Sequence, residues 1–141
     1  MSLQRAMAIA ASGLAAQRTR MEVVASNLAN ARTTRTPEGG PYRRREPVFT
    51  SDPVPGGFGE ALDGSLRAVR VETIVDDKTP PALKFEPGHP DADASGFVAY
   101  PNVEPVVEMV DMLSATRSYE ANVTVVKSVR EMLRSALQIL R

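Results

Sequence analysis

The last forty residues, 102–141, contain a single proline, Pro105, and no glycine. Nothing after that proline interrupts a helix, because the two residue types that most strongly break one are missing. At ~1.5 Å per residue such a helix is roughly 60 Å long, more than the width of a domain of this size. A helix that outgrows its domain needs other molecules to cover it. Asn102 is placed to cap its start, and Pro105 falls in the first turn, where the missing N–H would be an orphan in any case. Glu104, Glu108 and Asp111 precede Lys127, Arg130, Arg134 and Arg141, the order of charge that opposes the helix macrodipole.

Apolar side chains recur along this segment at alternating spacings of three and four: Met109, Met112, Thr116, Tyr119, Val123, Val126, Arg130, Leu133, Leu137 and Leu140. That alternation is a heptad seam. A second seam, Val125, Val129, Met132, Ala136 and Ile139, runs beside it. Together they make an apolar arc wider than a two-stranded coiled coil uses, so the helix needs more than one neighbour.

The same rhythm appears at the other end of the chain, in Leu3, Met7, Ala10, Leu14, Gln17, Met21, Val24 and Leu28. Its flank at Ala6, Ile9, Gly13 and Ala16 is mostly small, which lets a neighbouring helix come close. Gln17 and Arg130 interrupt their seams, and polar residues at such positions fix register and partner choice. The first helix runs into Ala25-Ser26-Asn27-Leu28-Ala29-Asn30-Ala31. Asparagine terminates helices well, because its amide competes for backbone groups. Two readings of Asn27 and Asn30 stand side by side here: a simple helix end, or amides that hydrogen-bond across a packed helical interface.

Between Thr36 and Pro101 lie ten of the eleven prolines and eight of the nine glycines, which exclude a long helix. Tyr42 to Phe49 can extend, Val69, Val71, Thr73 and Val75 alternate with charged neighbours as in a half-buried strand, and Leu83–Glu86 and Phe97–Tyr100 are shorter candidates. Pro53 to Gly59 reads as a loop. The expected fold is therefore mainly α with a small β and loop insertion. Residues 1–35 and 102–141 form long terminal helices packed as a coiled-coil-like pair or tube, and 36–101 forms a middle segment with short strands and too few long apolar side chains for a core of its own.

Charge and composition narrow the function. The 17 basic and 17 acidic residues cancel, so nothing in the total charge points to nucleic acid or an anionic membrane, and neither is expected as a partner. No apolar run reaches the ~20 residues of a membrane span, and the N-terminus lacks the pattern of a secretory signal, so export would take another route. There is no cysteine, hence no disulfide or thiol chemistry. His89, the lone histidine, stands near Asp91 and Asp93 in Pro87-Gly88-His89-Pro90-Asp91-Ala92-Asp93. A catalytic or metal site needs a third fixed partner, and this composition reads as a turn. No phosphate loop, nucleophile elbow or paired metal motif occurs. No catalytic, cofactor or metal residues are expected, nor a small-molecule substrate.

Two terminal heptad helices around a proline- and glycine-rich middle, together with specific words, resemble the bacterial flagellar axial rod and hook proteins, and within them the proximal-rod subunits. The words include Ala10-Ala11-Ser12-Gly13-Leu14, Ala16-Gln17-Arg18, Ala25-Ser26-Asn27-Leu28-Ala29-Asn30-Ala31, Gly40-Pro41-Tyr42-Arg43, Phe85-Glu86-Pro87-Gly88-His89-Pro90, Gly96-Phe97-Val98 and Ser114-Ala115-Thr116-Arg117-Ser118-Tyr119-Glu120-Ala121-Asn122-Val123. The resemblance implies a structural protein of the flagellar basal body and no enzyme. Such a subunit is exported unprocessed through the flagellar type III apparatus and polymerises through its terminal helices into the rod that carries torque across the periplasm. The implied partners are other copies of the chain, other rod proteins, the export apparatus and the surrounding ring proteins. The assembly interface is expected at Leu3, Met7, Leu14, Met21, Val24, Asn27, Leu28, Asn30, Met109, Met112, Tyr119, Asn122, Val123, Val126, Leu133, Leu137 and Leu140. The alternative is a soluble helical adaptor or export chaperone acting as a binding module, which requires the two helices to pair within one chain.

Overall fold

A computed structural model describes residues 3–54 and 66–139. Helix α1 spans Leu3–Ala29 and helix α2 spans Pro105–Ile139, and four short strands lie between them: β1 Arg45–Pro53, β2 Arg67–Asp76, β3 Ala82–Phe85 and β4 Phe97–Tyr100. The two helices pack against each other. They run antiparallel, since Asn27 meets Glu108, Met21 meets Thr116, and Gly13 lies against Asn122. Two long terminal helices around a small antiparallel strand region are thus the architecture expected from the sequence.

Helix α2 begins at Pro105, three residues after the residue expected to cap it. Proline suits the first helical position, where its fixed φ is already helical and no N–H is wanted. Asn102 lies in the bend before it. At the other end α2 outlasts its partner: Leu3 and Ala6 lie beside Val125, Val129 and Met132, and residues 133–139 extend past the start of the described part of α1.

Strands β1 and β2 form an antiparallel hairpin with a bulge between Val48 and Phe49. The first part of β2, Ala68, Val69 and Val71, is half-buried, and its last part is exposed. The half-buried end leans on α1, where the backbone N–H of Val69 donates to Ser12 Oγ at 3.2 Å. This hairpin therefore borrows its apolar backing from α1, as the scarcity of long apolar side chains in the middle segment requires. Of the loop expected at Pro53 to Gly59, Pro53 ends β1, and Pro55 to Gly59 lie outside the described residues.

Strands β3 and β4 form a second two-stranded antiparallel sheet in which Phe85 pairs with Phe97 and their rings meet edge to face at 5.4 Å. Gly96 sits at φ +82°, and a Cβ there would lie 2.8 Å from the ring of Phe85, so glycine is needed for both backbone and space. The loop between these strands is tied to the segment after α1 by Thr34 Oγ1, which donates to Asp91 Oδ2 at 2.8 Å.

Candidate assembly surface

A buried polar cluster fixes the hairpin of helices at one end. Asn27, in the last turns of α1, spends its whole amide: Nδ2 donates to the carbonyl of Arg45 at 2.9 Å and to Glu108 Oε2 at 3.1 Å, while Oδ1 accepts from the N–H of Arg45 at 2.9 Å and from the Tyr42 hydroxyl at 3.0 Å. Glu108, 0% exposed, receives Arg44 Nε on its other oxygen at 2.6 Å. Arg44 also reaches Glu46. A buried carboxylate is tolerable only when paired and hydrogen-bonded, and both of its oxygens are occupied here. One cluster thereby joins the end of α1, the start of β1 and the first turns of α2. Arg20 adds a second tie, donating to Asp111 Oδ1 at 2.8 Å.

Both readings of the asparagine pair apply, one to each residue. Asn27 bridges elements. Asn30 instead donates to the Ser26 carbonyl at 2.9 Å and accepts from Thr33 Oγ1 at 3.1 Å, closing the helix end locally.

The register between the helices selects one line of α2 for the contact within the chain. Its face toward α1 is centred on Glu108, Ala115, Asn122 and Val129, spaced by seven. Glu108, Ala115 and Val129 are buried and Asn122 half-buried, whereas Met109 and Arg130, on the first of the two heptad seams, are exposed. Met112, Tyr119 and Val126 belong to both lines and are half-buried. The chosen line is one of close approach. A Cβ on Gly13 would stand 2.7 Å from Asn122 Nδ2, so the small flank of α1 admits the other helix as its composition foretold. Val129 belongs to the second apolar seam, but a count of apolar residues cannot find Glu108 and Asn122 on the same line.

The expected interface residues divide accordingly. Val24 and Asn27 are enclosed within the subunit, and Leu3, Met7, Leu14, Met21, Leu28 and Asn30 on or just after α1 are half-buried, as are Asn122 and Val123 on α2. Met109, Leu133 and Leu137 are exposed; Leu140 lies outside the described residues. Sequence reasoning missed a stripe: Val106, Val110 and Leu113 are all exposed and recur at helical spacing on the side of α2 turned away from α1. At the far end, Leu3, Ala6, Val125, Val129 and Met132 line an apolar groove of about 400 Å³, next to the uncovered Leu133 and Leu137. Gln17, which interrupts the α1 seam, keeps its Oε1 enclosed without a hydrogen-bond partner among the described residues.

The histidine cluster is a turn. The N–H of Asp91 donates to His89 Nδ1 at 3.1 Å, Asp91 is engaged by Thr34, and Asp93 Oδ1 accepts from the N–H groups of Ser95 and Phe97. The two carboxylates thus serve separate backbone and side-chain partners. Tyr100, whose ring meets His89, donates its hydroxyl to Glu86 at 2.9 Å, and this bond to a carboxylate holds the phenol above its ordinary value.

A helical hairpin clamped at one end, with apolar faces left exposed among the described residues, is built as a component of a larger assembly. Comparisons give that class a family. The model for flagella basal body rod proteins matches residues 7–35, and the model for the C-terminal part of flagellar basal body rod FlgEFG proteins matches residues 94–139. The chain is 46% identical to the flagellar basal-body rod protein FlgC of Borreliella burgdorferi over 100% of this chain and 99% of that protein. It is 44% identical to FlgC of Salmonella typhimurium over 99% and 98%, and 44% identical to FlgC of Bacillus subtilis over 93% of each. The chain belongs to the FlgC family of flagellar basal-body rod proteins, a structural and non-enzymatic family. Pairing of the two helices within one chain is what an adaptor would also require, so family membership, and not the pairing, separates the two readings.

Proposed function

We propose that this subunit polymerises through its terminal helices into the proximal part of the flagellar rod, reaching the periplasm by the flagellar export route and sharing torque with other rod subunits across many repeated contacts. The observation that carries the reading is the apolar surface α2 leaves open at both ends: Val106, Val110 and Leu113 near its start, Leu133, Leu137 and Ile139 near its finish. Burying one such side chain contributes about 1.5–3 kcal/mol, a gain that every repeated contact of a polymer would add. The wider interface would include the half-buried seam residues of α1 and α2, with other rod proteins, the export apparatus and the ring proteins as neighbours.

The test is Leu137→Glu. Leu137 is 66% exposed, so the subunit should fold and be exported, while a carboxylate at a contact repeated in the polymer should stop rod completion. Glu120→Ala, outside the apolar faces, should be benign. Normal recovery of rods and hook-basal bodies with Leu137→Glu would refute the proposal.

A further inference from the structure

We infer that the outer edge of strand β1 is closed against pairing with another strand, so that copies of this chain brought together do not continue one another's sheets there. The hazard is present in the fold. β1 and β2 form a sheet of two strands, and Val48 and Phe49 on β1 and Ile74 and Val75 on β2 are exposed. An uncovered apolar edge strand is a template for edge-to-edge association.

Hydrogen bonds at the two ends of β1 fix which of its residues point outward. The carbonyl of Arg44 accepts from the N–H of Asp77 at 2.7 Å, and the N–H of Val54 donates to the carbonyl of Leu66 at 3.2 Å. In an antiparallel pair the N–H and carbonyl of one residue lie on the same side, and the side alternates along the strand. Even-numbered residues of β1 therefore face β2. The bulge leaves this alternation intact because the extra residue is in β2: Val48 pairs with Thr73 and Phe49 with Val71.

The outward positions are then Arg45, Pro47, Phe49, Ser51 and Pro53. Arg45 is spent on Asn27, whose side chain takes both its N–H and its carbonyl. Pro47 and Pro53 have no N–H to give. The Ser51 carbonyl accepts from Arg67 Nη2 at 2.8 Å. Phe49 is left as the one outward residue of β1 with both a donor and an acceptor lacking a partner among the described residues. A strand laid along this edge obtains one full pair of bonds. Both prolines thus stand where they cost β2 nothing and deny a newcomer its ladder. On the rod reading, this keeps contact between crowded copies to their helices.

The test restores the two donors. The full chain carrying Pro47→Ser and Pro53→Ser is compared with the unsubstituted chain in dilute and in concentrated solution, with amide exchange read residue by residue by NMR. In the double variant the amides at positions 47, 49 and 53 should slow about tenfold on concentration, the effect of one or two net hydrogen bonds, and thioflavin T fluorescence should rise with them. Pro80→Ser with Pro81→Ser removes two exposed prolines outside the strands and should do neither. Helical circular dichroism and a melting curve establish that each variant is folded. Should the double variant not fold, Pro53→Ser alone, at the exposed end of β1, carries the same test at positions 49 and 53. Exchange that ignores concentration in the folded variant would overturn the inference. So would association without protection of these amides, or equal concentration dependence at Phe49 in the unsubstituted chain. None of these readouts depends on rod formation, so each bears on the strand edge and leaves the rod reading standing.

Discussion

Arg44 Nε and Glu108 Oε1 meet across 2.6 Å although 64 residues separate them, and the carboxylate between Arg44 and Asn27 has no exposed surface. Breaking a buried pair from one side strands the partner that remains, so the cost exceeds the net value of the pair itself. Glu108→Leu should lower the unfolding free energy by about 3–5 kcal/mol. Glu108→Gln keeps the shape and one acceptor for Arg44, and should cost less. Urea denaturation of the isolated chain measures both, and a loss under about 0.5 kcal/mol for Glu108→Leu would mean the cluster does not clamp the hairpin.

Gly13 faces Asn122 with no room for a Cβ, the nearest atom being Nδ2 at 2.7 Å. Alanine would gain about 1 kcal/mol of helix propensity, but overpacking costs about 1–3 kcal/mol when a close contact must yield. Gly13→Ala should therefore be destabilising on balance, by about 1 kcal/mol. The double variant Gly13→Ala with Asn122→Ala removes the clash and should recover most of that loss. Thermal melting of the two singles and the double gives the cycle; additive effects would show that the helices do not meet at this pair.

How much of this was legible in the sequence depends on which physical signal each element carries. The helices announced themselves by length and period, and the strands by alternation between prolines and glycines, because those signals are local. The small flank around Gly13 correctly foretold close approach. The register was legible only in part: Asn122 and Val129 were on the expected interface or seams, but α2 also turns Glu108 inward, and a carboxylate enters a helix interface only because Asn27 and Arg44 wait for it from distant parts of the chain. Glu108 opposes the helix dipole as its position implies, but its burial depends on a tertiary contact that no local signal carries. The Val106–Leu113 stripe escaped for the same reason, since a line of contact displaced by one residue decides which apolar side chains are left outside.

Asp77 supplies a pH-dependent prediction. The Thr79 hydroxyl donates to its Oδ1 at 2.6 Å and the Thr79 N–H at 2.8 Å, and these bonds hold the carboxyl below its ordinary value of 3.8. A depressed folded value means the stabilising contribution is present above the unfolded pKa and disappears as pH falls through the folded one, in the acid range below about 4. Thr79→Ala removes the hydroxyl and leaves the N–H, so the midpoint should move part of the way back up. Titration of the Asp77 carboxyl carbon by NMR reads this directly, and an unchanged midpoint in Thr79→Ala would show that the hydroxyl bond does not hold the charge.

Val126 and Leu133 lie one heptad apart and looked equivalent in the sequence, yet the structure separates them. Val126 is half-buried on the line that faces α1, while Leu133 is 36% exposed and falls beyond the start of the described part of α1. A carboxylate at Val126 has to be desolvated inside the hairpin, at a cost of several kcal/mol unless the helices part. Val126→Glu should therefore lower the melting temperature of the isolated chain and impair rod assembly together. A carboxylate at Leu133 remains in water until another subunit arrives, so Leu133→Glu should leave the melting temperature close to normal and fail only at assembly. Melting curves paired with hook-basal-body recovery distinguish the two. Equal loss of melting temperature in both variants would mean that Leu133 is covered within one subunit, and that the open end of the helix is no interface at all.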